Sequence, residues 1–165
     1  MGKFIITEND KKHIIGLYEQ HIKIGKDERL KLTDNKDFLL VIPLTTAASC
    51  KYGASTKWCV ASKNDNRFDG YNNLCRTIGM VMIKDPSIQE IFGTKKFAIN
   101  VYNSSLEIHG DDSLYVKELP KKILDSGVYG EVKDVFNDFI NYHNNKCETK
   151  IDEDYFDKRV MNQGF

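Results

Sequence analysis

The side chains able to do chemistry are concentrated between positions 50 and 73, CKYGASTKWCVASKNDNRFDGYNN. This stretch holds the sole tryptophan, Trp58, and two of the four cysteines, Cys50 and Cys59. Three readings of it stay open. In the first it is a binding pocket. The backbone N–H groups of residues 53–57, the Ser55 and Thr56 hydroxyls and the Lys57 ammonium hold an anion, and Trp58 offers a stacking face. Lys51, Arg67 and Tyr71 complete that candidate set. The spacing matches neither GxxxxGK followed by Ser or Thr nor GxGxxG, so the two common phosphate-binding loops are absent. In the second reading Cys59 is a nucleophile, with Lys57 nearby to favour the thiolate and His109 across the sheet as base. In the third, Trp58 and Cys59 are core residues and the loop folds back over the sheet, since free cysteine is among the most buried residue types.

Local charge bears on the choice. Lys51, Lys57, Lys63 and Arg67 outnumber Asp65 between residues 51 and 67. Residues 106–118 are the reverse, with Glu107, Asp111, Asp112 and Glu118 against Lys117. A chain of zero formal charge therefore divides into a basic loop and an acidic hairpin end. Either these neutralise one another at the surface, where each pair contributes only ~0–1 kcal/mol, or the loop faces outward and receives an anion. The zero total removes the simplest argument for nucleic acid or an anionic membrane as partner.

The elements that must position these groups follow from periodicity. With 165 residues the chain fits a single domain over 1–165 that buries enough surface to fold without a staple. Short extended runs are expected at 29–32, 38–42 (ended by Pro43), 79–84, 96–102 and 105–109, the last two forming a hairpin about Asn103-Ser104. Helices are expected at 47–52, capped by Thr45 or Thr46 and closed by a left-handed Gly53, at 87–92, at 120–126 and at 129–143. Residues 144–165 form a polar tail in which Tyr155, Phe156 and Val160 support one more packed segment. At the front, Thr7 caps a helix over about residues 8–21 whose apolar face is Ile14, Leu17, Tyr18 and Ile22. The sum is an α+β fold, a small antiparallel sheet of three to five strands flanked by N-terminal and C-terminal helices.

The cysteines Cys50, Cys59, Cys75 and Cys147 form no CxxC pair, so neither metal nor cofactor is expected and all four thiols are expected reduced. No apolar run is long enough to span a bilayer, no signal peptide opens the chain, and Ile6 stands where myristoylation wants Ser or Thr.

Two blocks carry a resemblance. Pro43-Leu44-Thr45, Ala48-Ser49-Cys50, Gly53, Thr56-Lys57-Trp58-Cys59, then Asn66, Phe68 and Tyr71, resemble a T-K-W-C…N-x-F-x-x-Y block in a family of tailed-bacteriophage proteins with no assigned activity. The likeness spans about residues 38–108, although the link from Asn72 to Ile78 is longer here and contains Cys75. The opening resembles the I-T-E…L-Y-E helix that precedes many unrelated phage proteins. Ser55-Thr56 is similar to the strand-edge Ser-Thr element of ADP-ribosyltransferases, though the acidic pair of that family is not found downstream. The resemblance implies a phage-encoded accessory or virion-associated protein, in the virion or the infected host's cytoplasm. It would act by docking on a phage or host protein through residues 1–22 rather than by catalysis. The alternative is a binder of a small anionic ligand such as a host signalling nucleotide, and after that a Cys-dependent or ADP-ribosyltransferase-like enzyme.

Overall fold

The computed structural model describes residues 28–72, 75–111 and 118–162. The helix expected over residues 8–21, with the docking segment 1–22, lies outside them, as does Asp112. Five strands, β1 (Arg29–Asp34), β2 (Phe38–Pro43), β3 (Ile78–Ile83), β4 (Lys96–Tyr102) and β5 (Ser105–Gly110), form one antiparallel sheet in chain order. The helices are α1 (Thr46–Tyr52), α2 (Phe68–Tyr71), α3 (Pro86–Phe92), α4 (Leu119–Ser126), α5 (Tyr129–Lys146) and α6 (Tyr155–Met161), with a 3-10 turn at Cys59–Ala61. The chain is thus α+β with an antiparallel sheet, and helices lie between strands as well as after them. Among the described residues no helix is long and apolar enough to cross a membrane.

Alternate residues of a strand face opposite sides, so a strand buried throughout must be covered twice. β4 is such a strand, buried from Phe97 to Val101. Phe97, Ile99 and Val101 join Phe38, Leu40, Ile42 and Val81 in the large core beneath α3, α4, α5 and α6. Phe97 stacks on Phe92 at 5.0 Å, and Phe136 meets Phe156 at 4.6 Å, so aromatic rings run from the sheet into the helices. Helix α5 packs tightly over Gly79, where an added Cβ would meet the Phe139 ring at 2.8 Å. Ala98 instead joins Val41, Val60, Phe68, Ile78 and Met80 in a smaller core on the opposite face. That second face is covered by residues 46–71, the stretch carrying the candidate chemistry.

Two features of the helical side depart from expectation or escape it. Cys75 and Cys147 are joined in a disulfide, so the expectation of four reduced thiols is corrected: Cys50 and Cys59 alone are free. The partners stand 72 residues apart, and the bridge ties the chain before β3 to the end of α5. Lys146 reinforces the junction by donating to the Arg76 carbonyl at 3.2 Å and to Asn72 Oδ1 at 3.4 Å. Beside it His143 is fully buried. Its Nε2 lies 3.1 Å from the Thr149 carbonyl, which can only accept, so Nε2 carries the proton. Nδ1, 2.9 Å from Thr77 Oγ1, then accepts from that hydroxyl, and both ring nitrogens are satisfied in the neutral form.

Removing the cross-link by Cys75→Ser, at an exposed position, is expected to lower stability by about 2–4 kcal/mol. Reducing the wild-type protein should cost the same. Denaturant unfolding with and without reductant measures both, and a midpoint unmoved by reductant would show that the bridge contributes nothing.

Burial holds the His143 pKa below its ordinary value, with Lys146 and Lys150 acting in the same direction. The unfolded chain therefore takes up the proton first, and stability falls as pH drops below about 6.5 toward the folded-state pKa. Thermal unfolding between pH 7.5 and 5 is expected to show this decline, and His143→Gln is expected to flatten it while lowering stability at neutral pH.

Candidate functional site

Residues 46–71 reach the sheet through a sequence of local hydrogen bonds. Thr45 caps α1, its hydroxyl accepting from Ala48 N at 3.0 Å. Gly53 follows with φ −84°, not in the left-handed conformation expected of it. It is glycine for lack of room: a Cβ there would lie 2.5 Å from Ala61 Cβ and 3.3 Å from the Trp58 ring. Ser49 Oγ, fully buried, donates to the Val60 carbonyl and joins α1 to the 3-10 turn. Asn66 Nδ2 donates to the Val60 and Ser62 carbonyls at 2.8 and 2.9 Å, and its Oδ1 accepts from Phe68 N at 2.8 Å. Asn66 and buried Phe68 thus build the layer, while Tyr71 reaches its outer edge.

Two side chains fasten this layer to the sheet. Lys96 of β4 donates to the carbonyls of Tyr52 and Ala54 at 3.0 and 2.8 Å. Burial lowers the pKa of that ammonium, and Asp111 opposes the shift. The Trp58 indole N–H donates to the Gly110 carbonyl at the end of β5, at 3.2 Å.

Between Trp58 and the edge strand the cover stops short, leaving a cavity of about 530 Å³ open to solvent. Val60, Ile78, Ala98 and Ile108 line it as apolar surface, Trp58 and Tyr71 as aromatic surface, and Lys57, Cys59, Asn100, His109 and Asp111 as polar groups. The register explains the gathering on the sheet side. Asn100 pairs with Glu107, and Ala98 with His109, across β4 and β5. Glu107 Oε2 accepts from Asn100 Nδ2 at 3.3 Å and lies 3.4 Å from His109 Nε2. Asn100 is 2% exposed, and with Nδ2 turned to Glu107 its Oδ1 has no partner. A buried amide oxygen left unpaired is rare and costs about 1–3 kcal/mol.

On the opposite wall Cys59 opens the 3-10 turn and is exposed, while Trp58 is half-buried, so Cys59 is not the core residue of the third reading. The nearby Cys59 thiol, then burial and Glu107, raise the Tyr71 pKa, with Arg76 acting against them. The phenol thus stays protonated at neutral pH and remains a donor toward the sulfur.

Of the residues singled out in the sequence, Lys57, Trp58 and Tyr71 line the cavity, as do Cys59 and His109. The others stand elsewhere. Lys51 lies over the Tyr52 ring at 5.8 Å, and Arg67 reaches Asp65 at 3.5 Å. Thr56 Oγ1 donates to the Gly53 carbonyl at 2.6 Å, and Ser55 is exposed at φ 68°. Ser55 and Thr56 occupy a loop, not the strand edge that the transferase element requires. Asn100 was not anticipated, because a lone polar residue in an apolar strand reads as a surface position. Among the described residues no cluster of three His, Cys, Asp or Glu side chains could hold a metal ion. No protein-family model, curated protein or solved structure matches the chain.

Proposed function

We propose that the chain binds a small molecule in the cavity between Trp58 and β5. The ligand would combine a planar group bearing an N–H donor, a heterocycle or an amide, with an anionic group toward Lys57. The observation that carries this reading is the Asn100 carboxamide, buried on the sheet side of the cavity with its oxygen unpaired. A ligand N–H would satisfy it, and the rest of the lining suits the same molecule. The apolar surface accommodates a ring or chain, and Trp58 and Tyr71 offer faces for a planar group. The volume falls within the usual range of small-molecule sites. A nucleotide, the anionic ligand expected from the sequence, fits this description.

Docking of residues 1–22 on a phage or host protein is a separate proposal, supported by the spacing of Ile14, Leu17, Tyr18 and Ile22 in the sequence. Deleting residues 1–22 is expected to leave the thermal unfolding of the remainder unchanged and to end co-purification with virions. Unfolding of the truncated chain would assign the segment to the core instead.

For the cavity, Trp58 is a built-in reporter because the chain has no other tryptophan. Titration with nucleosides, nucleotides and N-acylated amino acids is expected to quench its fluorescence for at least one class. Near a hundredfold excess over Kd the same ligand should stabilise the fold by about 2.7 kcal/mol. Asn100→Ala removes the unpaired oxygen but also the hydrogen bond to Glu107, so its unliganded stability is expected to stay near that of wild type, and binding is expected to weaken at least tenfold. A panel that neither quenches nor stabilises refutes the reading.

A further inference from the structure

We infer that Cys59 is a nucleophile that accepts the acyl group of a small ester or thioester held in this cavity, with His109 carrying the proton. The inference rests on the cavity being a ligand site and names the chemistry done there.

The four cysteines are sharply distinguished by their surroundings. Cys75 and Cys147 are consumed in the disulfide. Cys50 is partly buried, its thiol directed to the Ser62 carbonyl at 3.5 Å and its sulfur accepting from Asn66 Nδ2 at 3.2 Å. Cys59 alone is both free and exposed, and it lies on the wall of the cavity. His109 lines the same cavity from β5. Its Nε2 faces the Glu107 carboxylate, which can only accept, so the neutral ring carries its proton there and leaves Nδ1 as the basic atom. A thiol, an imidazole and a carboxylate that orients the imidazole are the parts of thiol-dependent acyl transfer. On the binding reading proposed above, the unpaired oxygen of Asn100, a residue of the same lining, suits a substrate whose acyl part carries an N–H.

The step balances without any redox partner. The Cys59 Sγ–C bond forms at the carbonyl carbon, and the thiol proton passes to His109 Nδ1. As that bond forms, the Tyr71 hydroxyl, a donor toward the Cys59 sulfur at rest, turns to the developing oxyanion. As the carbonyl recovers, the bond to the leaving oxygen or sulfur breaks, and that atom takes the proton from Nδ1. Water then attacks the acyl-thioester, giving a proton to Nδ1. Cys59 departs with that proton restored, and the product is a carboxylic acid.

The 4-nitrophenyl ester of N-acetylglycine tests this on the full, unreduced chain. The expected result is a burst of one 4-nitrophenolate per chain with the acyl mass confined to Cys59. Cys59→Ser should abolish the burst and Cys50→Ser should keep it. His109→Ala should slow acylation at least a hundredfold. Acylation spread over lysines, equal labelling of Cys50, or an unchanged rate in His109→Ala would overturn the inference. N-acetylglycinamide, which the thiol does not readily cleave, separates it from the binding reading. Quenching of Trp58 by the amide, with no acylation by the ester, ends the inference and leaves the binding site standing. Absence of both removes the inference together with its premise for this ligand class.

Discussion

Lys96 holds the site together. Its ammonium, partly withdrawn from water, donates to the carbonyls of Tyr52, the last residue of α1, and of Ala54 just beyond it. Those carbonyls belong to the segment that must turn back toward the sheet before Trp58 can bridge to Gly110. That anchor adds to the turn's own hydrogen bonds, Thr56 to the Gly53 carbonyl among them, where Ala54, Ser55 and Lys57 are exposed and add nothing to the core. A charge-assisted hydrogen bond is stronger than a neutral one, and here one lysine makes two. The position of one β4 side chain therefore sets the position of the loop that walls the cavity.

The two covers of the sheet are held by different physics, and this bears on how the site behaves. The helical side is an extensive apolar core with stacked rings and a disulfide at its margin. The other side has a small apolar cluster, and much of its definition comes from side-chain hydrogen bonds to backbone: Ser49 to Val60, Asn66 to Val60 and Ser62, Trp58 to Gly110. Elements with few buried apolar contacts open at lower free energy than the core. The wall bearing Cys59 and Trp58 is thus the more easily opened half of the molecule, while β4 and β5, which carry Asn100 and His109, belong to the stable half. On the proposed binding reading, ligand entry and fold stability would be separable on this basis.

Much of the sheet was legible because its signals are local. Phe38 to Ile42 is an unbroken apolar run ended by proline, and Phe97, Ile99 and Val101 alternate over a hairpin turn. The caps at Thr45 and the helix following Pro120 were legible for the same reason. What escaped depended on distance in the chain. The pairing of Cys75 with Cys147 crosses 72 residues and leaves no spacing signature. Gly53 has the right place for a left-handed cap, yet its requirement is the closeness of Ala61 and Trp58, which periodicity does not encode. Asn100 shows the general case. Its neighbours proclaim a strand, but only the knowledge that both faces are covered turns a polar residue on the second face into a buried one.

The charge pattern, too, changes meaning once folded. The basic loop and the acidic hairpin end are separate blocks in the sequence, but Lys57 and Asp111 meet at one cavity, and Glu107 orients His109 beside them. Arg67 is turned to Asp65 within its own loop. The loop is therefore not a one-signed field that would draw anions from a distance, and its long-range attraction would in any case be screened beyond about 8–10 Å. Whatever charge selectivity the cavity has would act at contact, since Lys57 and Asp111 line it with opposite signs. Such a lining suits a molecule that carries a donor as well as an acid group better than a simple polyanion, and on the proposed binding reading the unpaired oxygen of Asn100 would make the same selection.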